Sequence, residues 1–251
     1  MLNIQTLSVT LGKKEIISGL SMDAVPGQWW MVCGPNGAGK STLLRSISGA
    51  VPYQGKIVWN GKARRAVKPR DWAKEAGLLS QHHPADYAFT VEETVRMGRY
   101  AYTGGLLRNH DPEGQKKVEA ALHSVGLWEM RERSLLTLSG GELQRVFLAQ
   151  VFAQDPKLLM LDEPANHLDL PYQKQLFSLI GEWIQKEGRT VITVVHDLNL
   201  VSAFGTHALL MRDGRVIAQG IKESVLTAEN LNAAYGMDVQ AWMRTLARNW
   251  L

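Results

Sequence analysis

At 251 residues the chain can bury a sizeable core as one large domain or two closely joined lobes, and two independent domains would be cramped. Its formal net charge is +4, with no Lys/Arg block longer than Lys13-Lys14, Arg64-Arg65 or Lys116-Lys117, so the surface is mildly basic and carries no nucleic-acid-binding tail. The single Cys33 excludes an internal disulfide and fits a reducing cytoplasm, while the absence of a signal-like h-region or of an apolar run near the ~20 residues of a membrane span predicts a chain that neither crosses a membrane nor is exported.

Leu2 to Val9 and Ile16 to Ala24 read as strands, joined later by Ile57 to Trp59, with turns at Gly12, Pro26-Gly27 and Asn60-Gly61. They predict a small antiparallel layer beside the core. The apolar stretch Trp29 to Cys33 is a further strand, ending in a small core cysteine rather than a reactive thiol. Directly behind it stands Gly34-Pro35-Asn36-Gly37-Ala38-Gly39-Lys40-Ser41-Thr42, and Thr42 to Ile47 reads as a helix. The glycines let successive N–H groups point at one centre, where the helix N-terminus adds partial positive charge. Such a nest fits a polyphosphate: Lys40 would bridge the β- and γ-phosphates and the Ser41 hydroxyl would hold Mg²⁺.

Further along, Gln81 follows the strand Leu78-Leu79. Asp111-Pro112-Glu113 is a helix start with a cap, a proline at the first position and an early acid, and Val118, Ala121, Leu122 and Val125 then repeat on one helical face until Gly126. Leu138-Ser139-Gly140-Gly141-Glu142 precedes another helix. Leu158 to Leu161 and Val191 to Val195 are short aliphatic runs of the kind that form buried parallel strands. They end at Asp162-Glu163 and His196, and ligands of open parallel sheets bind beyond such carboxyl ends. Leu176, Leu179, Ile180, Trp183 and Ile184 mark a helix closed by Gly188, and Arg212-Asp213-Gly214-Arg215 a hairpin turn. The eight tryptophans, Trp29-Trp30 among them, read as core packing. The pattern predicts a nucleotide-binding sheet with a helical insertion from about Val91 to Leu138.

The chemistry of each candidate follows from its type. Asp162 would hold Mg²⁺ through water, and Glu163 would act as general base or orient the water that attacks the γ-phosphate; alone, the two carboxylates read as caps of the turn at Pro164. Gln81 would reach Mg²⁺ or that water through its amide; alone it is a surface glutamine. His196 would donate to the γ-phosphate, where the alternative is a hydrogen-bonded core histidine. Ser139-Gly140-Gly141 opens a helix as the first loop does and offers a second anion site with no lysine, or is a capped helix and nothing more.

Taken in order, these motifs resemble the ATP-binding cassette (ABC) ATPases of membrane transporters over nearly the whole chain, with Ala165-Asn166-His167-Leu168-Asp169 completing the match. The resemblance implies an α/β fold, a P-loop NTPase (RecA-like) core with an antiparallel β layer and an inserted α-helical subdomain, in which residues 1–251 form a single nucleotide-binding domain. It implies ATP and Mg²⁺ as cofactors, and a head-to-tail dimer in which Ser139 and Gly141 of one copy cover the γ-phosphate held by Lys40 of the other, with Asp169 linking the sites. Gln81 would also sense a transmembrane partner. Three positions depart from the pattern: Leu11 stands where an aromatic residue usually stacks on adenine, Glu142 replaces a commoner glutamine and Ala165 a commoner threonine, neither of the last two being expected to remove a phosphate ligand.

Thr90 to Tyr100, His196-Asp197-Leu198-Asn199 and the tail from Val225 to Gly236 resemble the ATPases of importers for iron-siderophores, haem and cobalamin. By that likeness the chain sits peripherally on the cytoplasmic face of the inner membrane, has no room for a C-terminal regulatory domain, binds no nucleic acid, and serves indirectly a periplasmic or surface substrate-binding protein. The segment His82 to Tyr102 would receive the coupling helix of a separate permease. Tyr87, Phe89, Arg99 and Tyr100 are candidate contacts, unless they pack the insertion's own core. The alternative class is a soluble cassette ATPase of translation or DNA repair, which Asn166-His167-Leu168-Asp169 also resembles.

Overall fold

Alternating strands and helices run through the computed structural model, which describes residues 1–80, 88–103, 111–166 and 168–248. In chain order it forms β1 (Leu2–Leu11), β2 (Lys14–Ala24), β3 (Trp29–Cys33), α1 (Lys40–Ser48), β4 (Gln54–Trp59) and β5 (Lys62–Ala63). There follow α2 (Pro69–Glu75), β6 (Ala76–Leu79), α3 (Val91–Met97), α4 (Gly114–Ser124), α5 (Gly140–Gln154), β7 (Leu158–Asp162) and α6 (Leu170–Ile184). Last come β8 (Thr190–Val194), α7 (Leu198–Phe204), β9 (His207–Arg212), β10 (Arg215–Ile221), α8 (Lys222–Val225), α9 (Ala228–Tyr235) and α10 (Val239–Ala247). Residue contacts divide the chain into two units, Met1–Ala66 with Thr190–Leu251, and Val67–Arg189. Among the described residues no helix is long and apolar enough to cross a membrane.

The first unit holds the antiparallel layer expected from the early strands, in the order β2-β1-β4-β5. In β1 the buried positions are Leu2 and Ile4, then Leu7 and Val9. A strict two-residue alternation would have put Leu7 on the solvent face, but the register against β2 shifts between Ile4 and Leu7, where Thr6 takes a positive φ of 48°. This bulge returns Leu7 and Val9 to the core face. The same unit carries β10-β9-β3-β8, in which β3 lies parallel to β8 and β9, with Val32 opposite Val194 and Cys33 opposite Leu210. All five residues of β3 are buried, as a central parallel strand requires. The Trp29-Trp30 pair is core, as expected: Trp29 Nε1 donates to Thr193 Oγ1 at 2.9 Å and Trp30 Nε1 to Gln28 Oε1 at 2.9 Å. The turn Asp213-Gly214, with φ of 49° and 76°, joins β9 to β10.

The second unit holds the parallel pair β6 and β7, and the mutually packed helices α3, α4 and α5. On α6, Leu176, Phe177, Ile180, Trp183 and Ile184 are buried on one stripe, each such side chain contributing about 1.5–3 kcal/mol by leaving water. Helix α4 begins at Gly114, so Pro112 stands in the preceding turn rather than at the first helical position. The Asp111 carboxylate, expected as a cap, accepts from the backbone N–H groups of Glu113 and Gly114 at the start of α4 and pairs with Arg99 as well.

Candidate nucleotide site

Strand β3 delivers the chain into the loop at Gly34, whose φ of +139° and whose position admit only glycine: a Cβ there would lie 2.0 Å from the Met211 carbonyl oxygen. Gly39, at φ +96°, is confined likewise, since a Cβ would lie 2.8 Å from the Ile16 carbonyl oxygen. Helix α1 starts at Lys40 with no side-chain cap at Gly39 and no acid in its first turn. Its N-terminal N–H groups and the positive end of its dipole are therefore turned to the loop. Lys40 is 6% exposed and its Nζ donates to the carbonyls of Gly34 at 2.8 Å and Pro35 at 2.9 Å. An ammonium held by the loop's own carbonyls is poised to exchange them for phosphate oxygens. Burial pushes the Cys33 thiol up to about 12 against the opposing charge of Lys40, which keeps it an inert core residue.

His196 lies two residues beyond the end of β8 and is exposed, so it is not a core histidine. Because β8 and β3 are parallel neighbours, with the Val195 N–H donating to the Val32 carbonyl at 3.1 Å, His196 and the phosphate loop leave the same edge of the sheet.

In the second unit, β7 is buried throughout and ends in Asp162, 6% exposed. Glu163 follows in the left-handed region at φ 52°, and its carboxylate accepts from Asn166 Nδ2, while the Asn166 N–H donates to the Glu163 carbonyl at 3.2 Å. A non-glycine residue in this conformation costs about 1–3 kcal/mol, and the turn through Asn166 holds it there. Asp169 caps α6, its Oδ1 accepting from the Tyr172 N–H at 3.2 Å. Gln81, Tyr87 and His167 lie outside the described residues.

Ser139 caps α5 in a reciprocal box with Glu142: the Glu142 N–H donates to Ser139 Oγ at 3.3 Å, and the Ser139 N–H and hydroxyl donate to Glu142 Oε2 at 2.8 and 2.9 Å. The backbone N–H of Ser139 foremost holds the Glu142 carboxyl below the usual range. The Glu142 carboxylate thus accepts from both Ser139 donors. The two glycines after Ser139 are little constrained by this chain: a Cβ at Gly140 would meet nothing within 4 Å, and one at Gly141 only Leu168 Cδ2 at 3.6 Å.

A correction concerns Arg99. It is 5% exposed, pairs with Asp111 at 2.7 Å and lies over the Tyr102 ring at 3.7 Å, so it packs the unit's interior and is not a contact for another protein. Tyr100, 81% exposed, and Phe89, 40% exposed, remain on the surface. Leu11, at the end of β1, is also exposed.

The family model described as ABC transporter matches residues 17–166, which include the phosphate loop, Ser139 and the Asp162-Glu163 pair. The chain belongs to the ABC transporter family. As an ABC cassette it has the P-loop NTPase fold, binds ATP, and is the ATPase part that the family couples to transport. It is 37% identical over 236 residues to the ABC transporter ATP-binding protein YvrA of Bacillus subtilis, covering 94% of this chain and 53% of that protein, so it spans about half the length of that relative. It is also 37% identical, over 245 residues, to the hemin import ATP-binding protein HmuV of Rhizobium meliloti, covering 94% of this chain and 91% of HmuV. Among solved structures, a transporter described as of metal-chelate type, in an inward-facing conformation, superposes with a TM-score of 0.81 at 28% identity, covering 94% of the cassette and 89% of that chain.

One residue of the cassette that sequence reasoning passed over is Tyr235. Burial, foremost, pushes its phenol up to about 12; the Cys33 thiol raises it further and the Gly34 backbone N–H lowers it. Tyr235-Gly236 was visible only as part of the tail's resemblance, because nothing local ties a tyrosine at the end of one helix to a loop some two hundred positions earlier.

Proposed function

We propose that the cassette is the ATP-hydrolysing subunit of an importer for a large metal chelate, an iron-siderophore, haem or a corrinoid such as cobalamin. It works as a head-to-tail pair, peripheral to the cytoplasmic face of the membrane, beneath a separate permease fed by a substrate-binding protein. One observation carries this reading furthest. The chain has a lysine-bearing phosphate loop and a second helix N-terminus, at Ser139, where a Cβ at Gly140 would meet nothing within 4 Å. Relatives named for hemin import supply the cargo class.

ATP would lie on residues 34–42, Lys40 turning from the Gly34 and Pro35 carbonyls to the β- and γ-phosphates. Ser41, Asp162 and the Gln81 amide are the residues that would hold Mg²⁺, an ion that keeps several waters and takes one or two protein ligands beside substrate phosphates. Mg²⁺ supplies charge neutralisation on the phosphate oxygens. Glu163, aimed by its left-handed backbone and by Asn166, accepts the proton of the attacking water as the γ-phosphate leaves ADP. His196 donates to that phosphate. Ser139 of the other copy exchanges Glu142 for the γ-phosphate, with Gly141 beside it and Asp169 bridging the two copies.

The permease would dock on the face marked by Phe89, Met97 and Tyr100, beside an open cleft of about 590 Å³ lined by Arg70, Met97, Tyr100, Gln150 and Gln154. Affinity purification of the tagged cassette from its own cells, with Mg-ATP hydrolysis assayed on the product, tests the reading. Recovery with a polytopic permease and ATPase activity supports it; recovery with ribosomes or DNA and no permease contradicts it.

A further inference from the structure

The last turn of α9 is fixed against the strand that supports the phosphate loop. Arg212, ending β9, donates from Nη1 to the Ala233 carbonyl at 2.6 Å, and β9 is the parallel neighbour of β3, with Leu210 opposite Cys33. The loop root is pressed on the same strand, which is why Gly34 admits no side chain beside the Met211 carbonyl. Tyr235 is thereby brought behind the loop. Its Oη is shielded from solvent and has no partner in hydrogen-bond geometry, and the polar groups facing it are the Cys33 thiol and the Gly34 N–H. A thiol is a poor hydrogen-bond partner, so the Gly34 N–H is the group able to satisfy the phenol oxygen. Gly34 is thus bracketed, its N–H by Tyr235 and its carbonyl by Lys40.

Resting on the ATP-binding reading above, we propose that Tyr235 is a positioning residue of the nucleotide site. When phosphate draws Lys40 away from the Gly34 carbonyl, the Tyr235 hydroxyl accepts the Gly34 N–H and keeps the root of the loop in its phosphate-binding form. The C-terminal helix pair α9 and α10 is by this route a buttress of the nucleotide site.

Tyr235→Phe removes the hydroxyl and keeps the ring, and deleting a buried hydroxyl that lacks a partner in hydrogen-bond geometry does not harm the fold. The test measures ATP affinity, KM and kcat for Mg-ATP, and melting midpoints with and without Mg-ATP. The expected result is an unchanged or higher midpoint without nucleotide, a smaller rise on adding Mg-ATP, a KM and Kd for ATP raised about three- to ten-fold as for one lost hydrogen bond, and a kcat within about two-fold. Equal ATP affinity in the variant and in a wild type that binds ATP overturns the inference alone. A lowered midpoint without nucleotide, with unchanged KM, makes Tyr235 a packing residue only and also overturns it. A wild type that binds no ATP overturns the nucleotide reading and this inference with it.

Discussion

Arg99 and Asp111 form a two-pronged, part-buried ion pair: Arg99 Nε donates to Asp111 Oδ2 at 2.7 Å and Nη2 to Oδ1 at 3.1 Å. The third nitrogen, Nη1, donates to the Ala153 carbonyl at 3.0 Å near the end of α5. One side chain thus ties the turn after α3, the approach to α4 and the last turn of α5. A fully buried pair that loses one partner costs about 3–5 kcal/mol; here Arg99 is buried and Asp111 reaches the surface, so the cost falls below that range. Arg99→Glu should therefore lower the urea midpoint markedly, and any loss of permease binding should follow from that. Tyr100→Ala, at an exposed position, should change stability by about 0.5 kcal/mol or less while weakening permease recovery. Full stability in Arg99→Glu would contradict the structural role.

The same pair sets an acid dependence. The hydrogen bond from Arg99 holds the Asp111 carboxyl below its ordinary value. A depressed carboxylate contributes stability that is present above the unfolded pKa of about 3.9 and is lost as pH falls through the folded value. Asp111→Asn should be less stable than wild type at neutral pH, and the gap should narrow on acidification below about pH 4. Denaturant melts at a series of pH values check this; a gap independent of pH would remove the charge from the explanation.

Glu163 stands in the left-handed region with Asn166 on its carboxylate, an arrangement that spends backbone strain on aiming one side chain. Glu163→Gln should retain ATP binding and lose hydrolysis by a factor of about 10²–10⁴, the range for an absent general base. It should also accumulate as an ATP-bound dimer in size-exclusion chromatography. Turnover at the wild-type rate would relieve Glu163 of its role.

Lys40→Ala and Ser139→Arg chains should each be inactive, because each breaks a different half of the proposed two-sided site. Mixed, they should regain part of the wild-type ATPase rate, since one heterodimer face carries both intact halves. Heterodimers demonstrated by differential tags, yet still without activity, would contradict independent composite sites.

The local motifs were legible because their signals are local. The strand-loop-helix around Lys40, the strand ending at Asp162 and the turn at Asp213-Gly214 each need only a few consecutive residues to be specified. Relations across the chain were not legible. Arg99 reads as a surface arginine of an apolar-aromatic segment until Asp111 is folded against it. The Ser139–Glu142 box is local, a Ser-x-x-Glu spacing that was open to reading, whereas Leu7 falls out of the core-facing series of β1 unless the bulge at Thr6 is known. Tyr235 is the extreme case, since its neighbours Cys33 and Gly34 are reached only through β9. Around Pro112 the start signal was legible but its bounds were not: Asp111 meets the first N–H groups of α4, while the helix begins at Gly114, two positions later than a proline at the first helical position implies.

The central claim is that this cassette converts ATP hydrolysis into import of a metal chelate, and uptake by a reconstituted transporter tests it most directly. Its permease and substrate-binding protein are placed with it in liposomes, and accumulation of a ferric siderophore, haem or a corrinoid is followed with Mg-ATP on the cassette side. The account predicts ATP-dependent accumulation of one of these with the wild-type cassette and none with Glu163→Gln. ATP hydrolysis without accumulation of any of them, or equal accumulation with Glu163→Gln, would contradict it.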